Sequence, residues 1–248
     1  MPTKKKIISF SLWGNNPKYV KGAIRNAKLG SKHFPGWVCR FYIGRSTLTG
    51  CPDDVQFLKC FDNVEVIPME EEGDWTGMFW RFYPIADNDV SVMISRDADA
   101  RLSYRDSIAV KEWLKSSNKF HIIRDHPYHS FKIMGGMWGA KEGILQDMRA
   151  LIEDYDKKSF WQVDQNFLAE IIYPKVKHNA FIHDEFGEGA LIKKARKNFE
   201  FIGDVFDEND IRDSLLWKEI QKEKMLRRKN TSLRQRFLNT WKKIKMKW

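Results

Sequence analysis

Cysteine is scarce in this chain: Cys39, Cys51 and Cys60 are the only three in 248 residues. Their number is odd, their spacing is wide and none falls in a C-x-x-C pair, so they supply neither a disulfide framework nor a zinc site. They read as reduced thiols of a cytosolic protein. Long apolar runs are missing too. No stretch approaches the roughly 20 residues that span a bilayer. The apolar run from Ile7 to Leu12, behind Lys4-Lys5-Lys6, is shorter than a signal-peptide core and has no cleavage site after it. Neither export by that route nor an integral membrane protein is expected. No internal repeat, G-x-G-x-x-G or Walker loop occurs, so a bound nucleotide would need something other than a glycine-rich phosphate cradle.

What remains is a well-stocked globular chain. Apolar residues make up 42% and charged residues 31%, a balance that excludes overall disorder and can fill one α/β core with an appendage. Ten Trp suit a carbohydrate or nucleobase binder, and equally a filled core. Strand patterns at Ile7–Leu12, Val38–Ile43, Val64–Ile67 and Val90–Ser95 alternate with helical ones over about 17–29, 53–59, 76–86 and 104–116. That order predicts a mostly parallel sheet with helices on both faces. Further on, Phe120–Ile123, Met137–Ala140 and Ala180–His183 read as strands, and Ile144–Tyr155 and Asp164–Ile172 as helices.

Positive charge is confined to one end. From Lys222 to Trp248 there are eleven Lys and Arg against the single acid Glu223, a net of +10 that equals the formal charge of the whole chain. Residues 1–221 therefore sum to about zero. Leu233, Phe237, Trp241, Ile244 and Trp248 form one apolar stripe if this segment is helical, flanked by Arg234, Arg236, Lys242, Lys243, Lys245 and Lys247. A basic amphipathic helix with Trp on its apolar side fits an anionic membrane surface, each cation contributing roughly 1 kcal/mol. The same stripe would also serve packing, oligomerisation or nucleic-acid binding. We divide the chain into a globular α/β domain over 1–210 and a helical basic tail over 211–248.

The most telling stretch is Arg96-Asp97-Ala98-Asp99. It follows the apolar run Val90, Val92, Met93, Ile94, so two carboxylates stand at the C-terminal end of a buried strand, where open α/β sheets bind ligands. Residues i and i+2 on a strand share a side, which lets both acids converge on one divalent ion or on an ion and its ligand. A surface turn rich in Asp would look the same in isolation.

In company it does not stand alone. Ser11-Leu12-Trp13-Gly14, Phe79-Trp80-Arg81-Phe82, Arg96-Asp97-Ala98-Asp99, Gly135-Gly136-Met137-Trp138-Gly139, Asp164-Gln165-Asn166-Phe167-Leu168 and His183-Asp184 follow in an order that resembles the GT-A fold glycosyltransferases. The likeness covers roughly residues 5–205 and is nearest the small members associated with surface-glycan assembly in bacteria and some large DNA viruses. It implies a nucleotide-sugar donor, a UDP-sugar, and a glycan or lipid-linked acceptor; the charge pattern of the tail would hold the protein at the cytoplasmic face of a membrane. The resemblance also implies that Asp99 ligates Mn²⁺ or Mg²⁺ directly, while Asp97 meets the ribose or the metal's water. His183 is a candidate third ligand, which favours Mn²⁺. Ser11 and Trp13 stand where this fold holds the nucleobase.

Asp164 is the candidate base for the acceptor hydroxyl, or else an ordinary helix N-cap. Some retaining members carry Asp-Gln at a similar place followed by a His ligand, so both stereochemical outcomes fit these residues. Gly135 and Gly136 permit close backbone approach and positive φ, and Trp138 would then face a sugar ring. Arg124 to His129 forms an acceptor-side loop in which His126 and His129 are spaced like metal ligands, although Pro127 between them breaks the helix that would align them. Arg81 faces the diphosphate or pairs with an acid on its helix. A HAD-type phosphatase would want its D-x-D on the first strand, a nucleic-acid binder would want a basic domain rather than a basic tail, and an inactive GT-A scaffold would keep the fold alone.

Overall fold

The computed structural model describes residues 3–70, 72–155 and 162–226. Seven strands form one sheet: β1 (Lys5–Leu12), β2 (Val38–Ile43), β3 (Val64–Pro68), β4 (Val90–Ser95), β5 (Phe120–Arg124), β6 (Trp138–Lys141) and β7 (Ala180–Asp184), in spatial order β3-β2-β1-β4-β6-β5-β7. Every pairing is parallel except those of β6, which runs antiparallel to both β4 and β5. The reversal follows from its connection: residues 125–137 return from β5 as a loop without a crossover helix.

Side chains alternate between two cores. Ile7 and Met93 enter one cluster while Ile8, Phe10, Val92 and Ile94 enter the other, as period two on strands covered on both faces requires. The second cluster is closed by α1 (Pro17–His33), α3 (Pro52–Lys59) and α4 (Tyr104–Lys115). Helix α1 starts where Asn16 accepts a bond from the Lys18 N–H at 3.0 Å and Pro17 takes the first turn. Its inward stripe is Val20, Ala23, Ile24 and Ala27. Ser103 caps α4 through the Asp106 N–H.

The sequence-based boundaries hold for most elements; α1 runs one turn further than expected, to His33, and four other elements differ. The short helix α2 (Arg45–Gly50) was not expected. Residues Trp75–Ala86 wind as a 3₁₀ helix with Pro84 inside. The helix expected over Ile144–Tyr155 shrinks to α5 (Met148–Asp154), because Gly143 at φ +81° makes a turn ahead of it. The stretch after Asp164 divides into α6 (Val163–Phe167), a π turn at Leu168–Ile172 and α7 (Tyr173–Val176); Pro174, lacking an N–H, cannot continue the α ladder.

Within the expected tail, residues 214–226 are helical and Ile220 is fully buried. The apolar stripe from Leu233 to Trp248 lies outside the described residues. No helix among the described residues is long and apolar enough to cross a membrane.

Candidate functional site

The chain leaves β1 towards β2 on one side and later returns to β4 on the other, which makes the carboxyl ends of β1 and β4 a topological switch point. There a two-lobed cleft opens. The larger lobe, about 550 Å³, is lined by Ser11, Trp13, Tyr19, Trp75, Asp97 and Asp99 among others. The smaller, about 300 Å³, is lined by His126, His129, Gly135, Gln162, Asp164 and Gln165 among others. Met78, Arg81, Asp97 and Val205 border both.

Arg81 is the hinge pin of this arrangement. Its Nη1 donates to Asp97 Oδ1, and its Nη2 donates to Asp164 Oδ2 at 2.9 Å. Burial works against the guanidinium charge, but Asp97 and Asp164 more than restore it and hold its pKa above the ordinary value. Ser11 acts one step back, accepting the Arg81 backbone N–H on its hydroxyl at 3.0 Å. Arg81 does not pair with an acid on its own helix, as one of the two expected settings had it; its partners are two acids from distant segments.

Asp97 and Asp99 leave the end of β4 in a turn, and both line the larger lobe. Asp99 Oδ2 lies 2.7 Å from Lys18 Nζ in the first turn of α1. Burial, then the charge of Asp97, raises the Asp99 pKa, and Lys18 opposes them. The floor beneath is fixed by Arg96, 2% exposed. Its Nε and Nη2 hold the two carboxylate oxygens of Asp106 at 2.8 and 2.7 Å, and its Nη1 donates to the carbonyl of Ser95 at 2.7 Å and lies 3.4 Å from that of Gly136.

Gly135 and Gly136 leave room for the site's carboxylates. A Cβ on Gly135 would sit 2.3 Å from Asp164 Oδ2, and one on Gly136 would sit 2.1 Å from Asp97 Oδ2. Neither glycine has positive φ, which corrects half of the reason given for them above. Asp164, 2% exposed, occupies the first turn of α6; the N-cap position belongs to Gln162 at φ 74°. Its Oδ1 accepts the Gln165 N–H at 2.9 Å.

The two histidines of the β5–β6 loop line the smaller lobe as neutral bases. His126 Nδ1 accepts the Tyr128 N–H at 3.1 Å, which places its proton on Nε2, 2.9 Å from the carbonyl of Leu216. Burial lowers its pKa and the carbonyl partly offsets that. His129 Nδ1 accepts the Asp125 N–H at 3.0 Å, and burial takes its pKa down to about 3.

Two expected site residues lie elsewhere. Trp138 is fully buried, stacked on Phe120 at 5.3 Å with Phe82 at its edge, so its face is unavailable to a sugar: the glycines bring the backbone to the site and send this side chain into the core. His183 is likewise fully buried, with Nδ1 2.8 Å from His121 Nε2 and Nε2 3.4 Å from Glu112 Oε2. It is not brought to Asp97 and Asp99, and no cluster of three or more potential ligands exists among the described residues. Trp13, by contrast, stands in the larger lobe with its ring against Gly73 and Gly77 and its edge towards Trp80.

Residues given no role of their own from the sequence include Lys18, Tyr19 and Gln165. The Asn16-Pro17 start signal directly after β1 places the first turn of α1 beside the sheet's carboxyl edge, and that signal points to Lys18. Gln165 borders the smaller lobe with a buried Oε1 that has no donor among the described residues.

No family model matches the sequence, and no curated protein matches it. Solved structures do. TarS residues 1–349 from S. aureus, in complex with UDP, superpose over 73% of this chain and 58% of that one, at 12% identity and a TM-score of 0.51. The mannosyltransferase PcManGT from Pyrobaculum calidifontis, in complex with GDP-Man and Mn²⁺, matches over 75% of this chain and 56% of its own, at 13% identity and a TM-score of 0.50. A glycosyltransferase involved in glycosylation of the major capsid of PBCV-1 matches over 74% and 83%, at 15% identity and a TM-score of 0.49. This chain thus spans little more than half the length of the first two, and the likeness is one of fold.

Proposed function

Because this chain carries the GT-A fold, we propose that it transfers a sugar from a nucleotide donor, a UDP-sugar, to a hydroxyl of a glycan or lipid-linked acceptor in surface-glycan assembly. The observation that carries the reading is Arg81, shared between Asp97 of the larger lobe and Asp164 of the smaller. A group transfer needs two substrates to meet at one point, and this guanidinium marks where the lobes meet.

The larger lobe has the size of a small-ligand site and takes the donor. Trp13, Tyr19 and Trp75 supply flat walls for a base or sugar. Asp97 and Asp99 fit a hard divalent ion: both are oxygen donors on one turn, and burial together with the charge of Asp97 raises Asp99, a strain on the carboxylate that a cation relieves. With His183 outside the set, oxygen ligands suit Mg²⁺ as well as Mn²⁺. Bound there, the ion supplies Lewis-acid neutralisation of the leaving diphosphate.

The chain's own groups do the rest. Lys18 and Arg81 hold positive charge at the end of the lobe where the diphosphate departs. Asp164 Oδ2 binds Arg81 with one lone pair and has a second for the acceptor hydroxyl. As that hydroxyl oxygen bonds to the anomeric carbon, the carbon's bond to the diphosphate oxygen breaks, the proton passes to Asp164 Oδ2 and the nucleoside diphosphate leaves. His126 and His129 shape the acceptor side as neutral groups. The basic tail, on its sequence stripe, holds the enzyme to an anionic membrane surface.

The test is a screen of nucleotide-sugars by hydrolysis and thermal shift, with and without Mn²⁺, on the protein and on Asp99→Ala. One donor should turn over in a metal-dependent way, and the variant should lose that turnover with its circular dichroism unchanged. Donor binding indifferent to metal, or full turnover in the variant, would overturn the assignment.

A further inference from the structure

Behind the cleft a second concavity, about 980 Å³, runs along α1. Val205 borders both lobes of the cleft, whereas its neighbour Phe206 lines this groove, so the two spaces lie on either side of one backbone segment. Arg25, Lys28 and Lys32 line it from one face of α1, a row about 10 Å long at the helical rise. Lys194 and Lys197 line it from the segment after β7, and Tyr104, 50% exposed, carries Lys194 Nζ 5.2 Å over its ring.

The charges there are not balanced locally. Arg25 and Arg101 share Asp210, and Arg196 is tied to Asp125. Lys28, Lys32, Lys194 and Lys197 make no ion pair among the described residues, and all four are exposed. Burial and the charge of Lys32 hold the His33 imidazole below its usual pKa. Like charges along a concave wall focus the local potential and concentrate anions.

We propose that this groove binds an anionic glycan, a chain bearing carboxylates or phosphates, on the far side of the Val205–Phe206 segment from the cleft. The assignment names the acceptor class and rests on the glycosyl-transfer reading above. A bilayer is flat and would leave the floor of the groove empty. The ring of Tyr104 already carries the Lys194 cation, which leaves it poorly placed to stack a nucleobase. The length of the cationic row, about 10 Å, favours a polymeric anion over either.

The full-length protein is titrated with fluorescent oligogalacturonate and phosphomannan oligosaccharide. Neutral malto-oligosaccharide, oligothymidine and phosphatidylglycerol vesicles are run beside them, and donor hydrolysis and thermal unfolding are recorded in parallel. Lys28→Ala/Lys32→Ala/Lys194→Ala should weaken one or both anionic glycans roughly tenfold, with hydrolysis and unfolding unchanged. The set Lys28→Arg/Lys32→Arg/Lys194→Arg should keep wild-type affinity, and that affinity should fall with salt. Equal affinity in the Ala variant would assign binding to the basic tail and overturn the proposal. So would a loss seen only on vesicles or oligothymidine, or neutral glycan bound as tightly. If no donor is hydrolysed yet the Ala variant still loses the anionic glycan, the transferase reading fails and the groove assignment stands.

Discussion

Replacing Arg81 with Met tests the centre of the site with a quantity the structure sets. The guanidinium is 8% exposed and Asp164 2%. Asp97, with 41% of its side chain exposed, is resolvated by water once the cation goes. The cost therefore concentrates on Asp164, which keeps only the Gln165 amide on Oδ1. Removing one partner of a buried pair costs about 3–5 kcal/mol, because a charge is left uncompensated. The retained amide bond places Arg81→Met at the lower end, about 3 kcal/mol. Adding Asp164→Asn removes the stranded charge and should return about 2 kcal/mol, a coupling well above the error of a double-mutant cycle. Urea unfolding followed by Trp fluorescence reads all four proteins. A single variant that loses less than about 1 kcal/mol with zero coupling would refute the claim that Arg81 neutralises a buried Asp164.

Asp164→Asn by itself should cut sugar transfer by about 10²–10⁴, the scale of a lost general base, while the donor dissociation constant stays within a small factor in calorimetry; normal transfer would leave Asp164 a structural acid. Gly136→Ala displaces the end of a side chain rather than backbone, so it should cost only about 1 kcal/mol in stability, yet weaken metal binding, measured by Mn²⁺ titration, because Asp97 must turn away. Burial raises the Asp204 pKa to about 6. The folded state then takes up a proton that the unfolded chain lacks, and stability from this group rises as pH falls from about 6 towards 4, by up to about 3 kcal/mol; Asp204→Asn should flatten that part of the difference curve against wild type. Deleting residues 227–248 should abolish sedimentation with phosphatidylglycerol vesicles and leave donor hydrolysis intact.

The strands were legible because period-two alternation and apolar runs survive in β1, β2 and β4, which are covered on both faces. The direction of β6 was not, since Trp138-Gly139-Ala140 has no mark distinguishing antiparallel from parallel pairing. The reversal is decided by a loop that never becomes a helix. The two acids after β4 and the acid after Gln162 were legible as types at fixed places, and the structure brings them to one cleft. Their partner was only half legible: Arg81 announces a cation, but nothing local says that it reaches two acids, one 16 and one 83 residues away. Trp138 and His183 misled for one reason. An aromatic or an imidazole beside a motif looks the same whether it faces solvent or core, and side-chain direction at a strand is decided by pairing partners far along the chain.

Arg96 gives the cleft a division of labour. One guanidinium bolts the end of β4 to α4 and to the glycine loop, so the ground on which the acids stand does not shift with the occupant. On the glycosyl-transfer reading proposed above, adaptation to a different base or sugar falls to the upright walls, where Tyr19 and Trp75 are 38% and 39% exposed. Selectivity can drift there while the chemistry stays put, and a laboratory seeking a new donor would randomise those walls and leave the floor untouched.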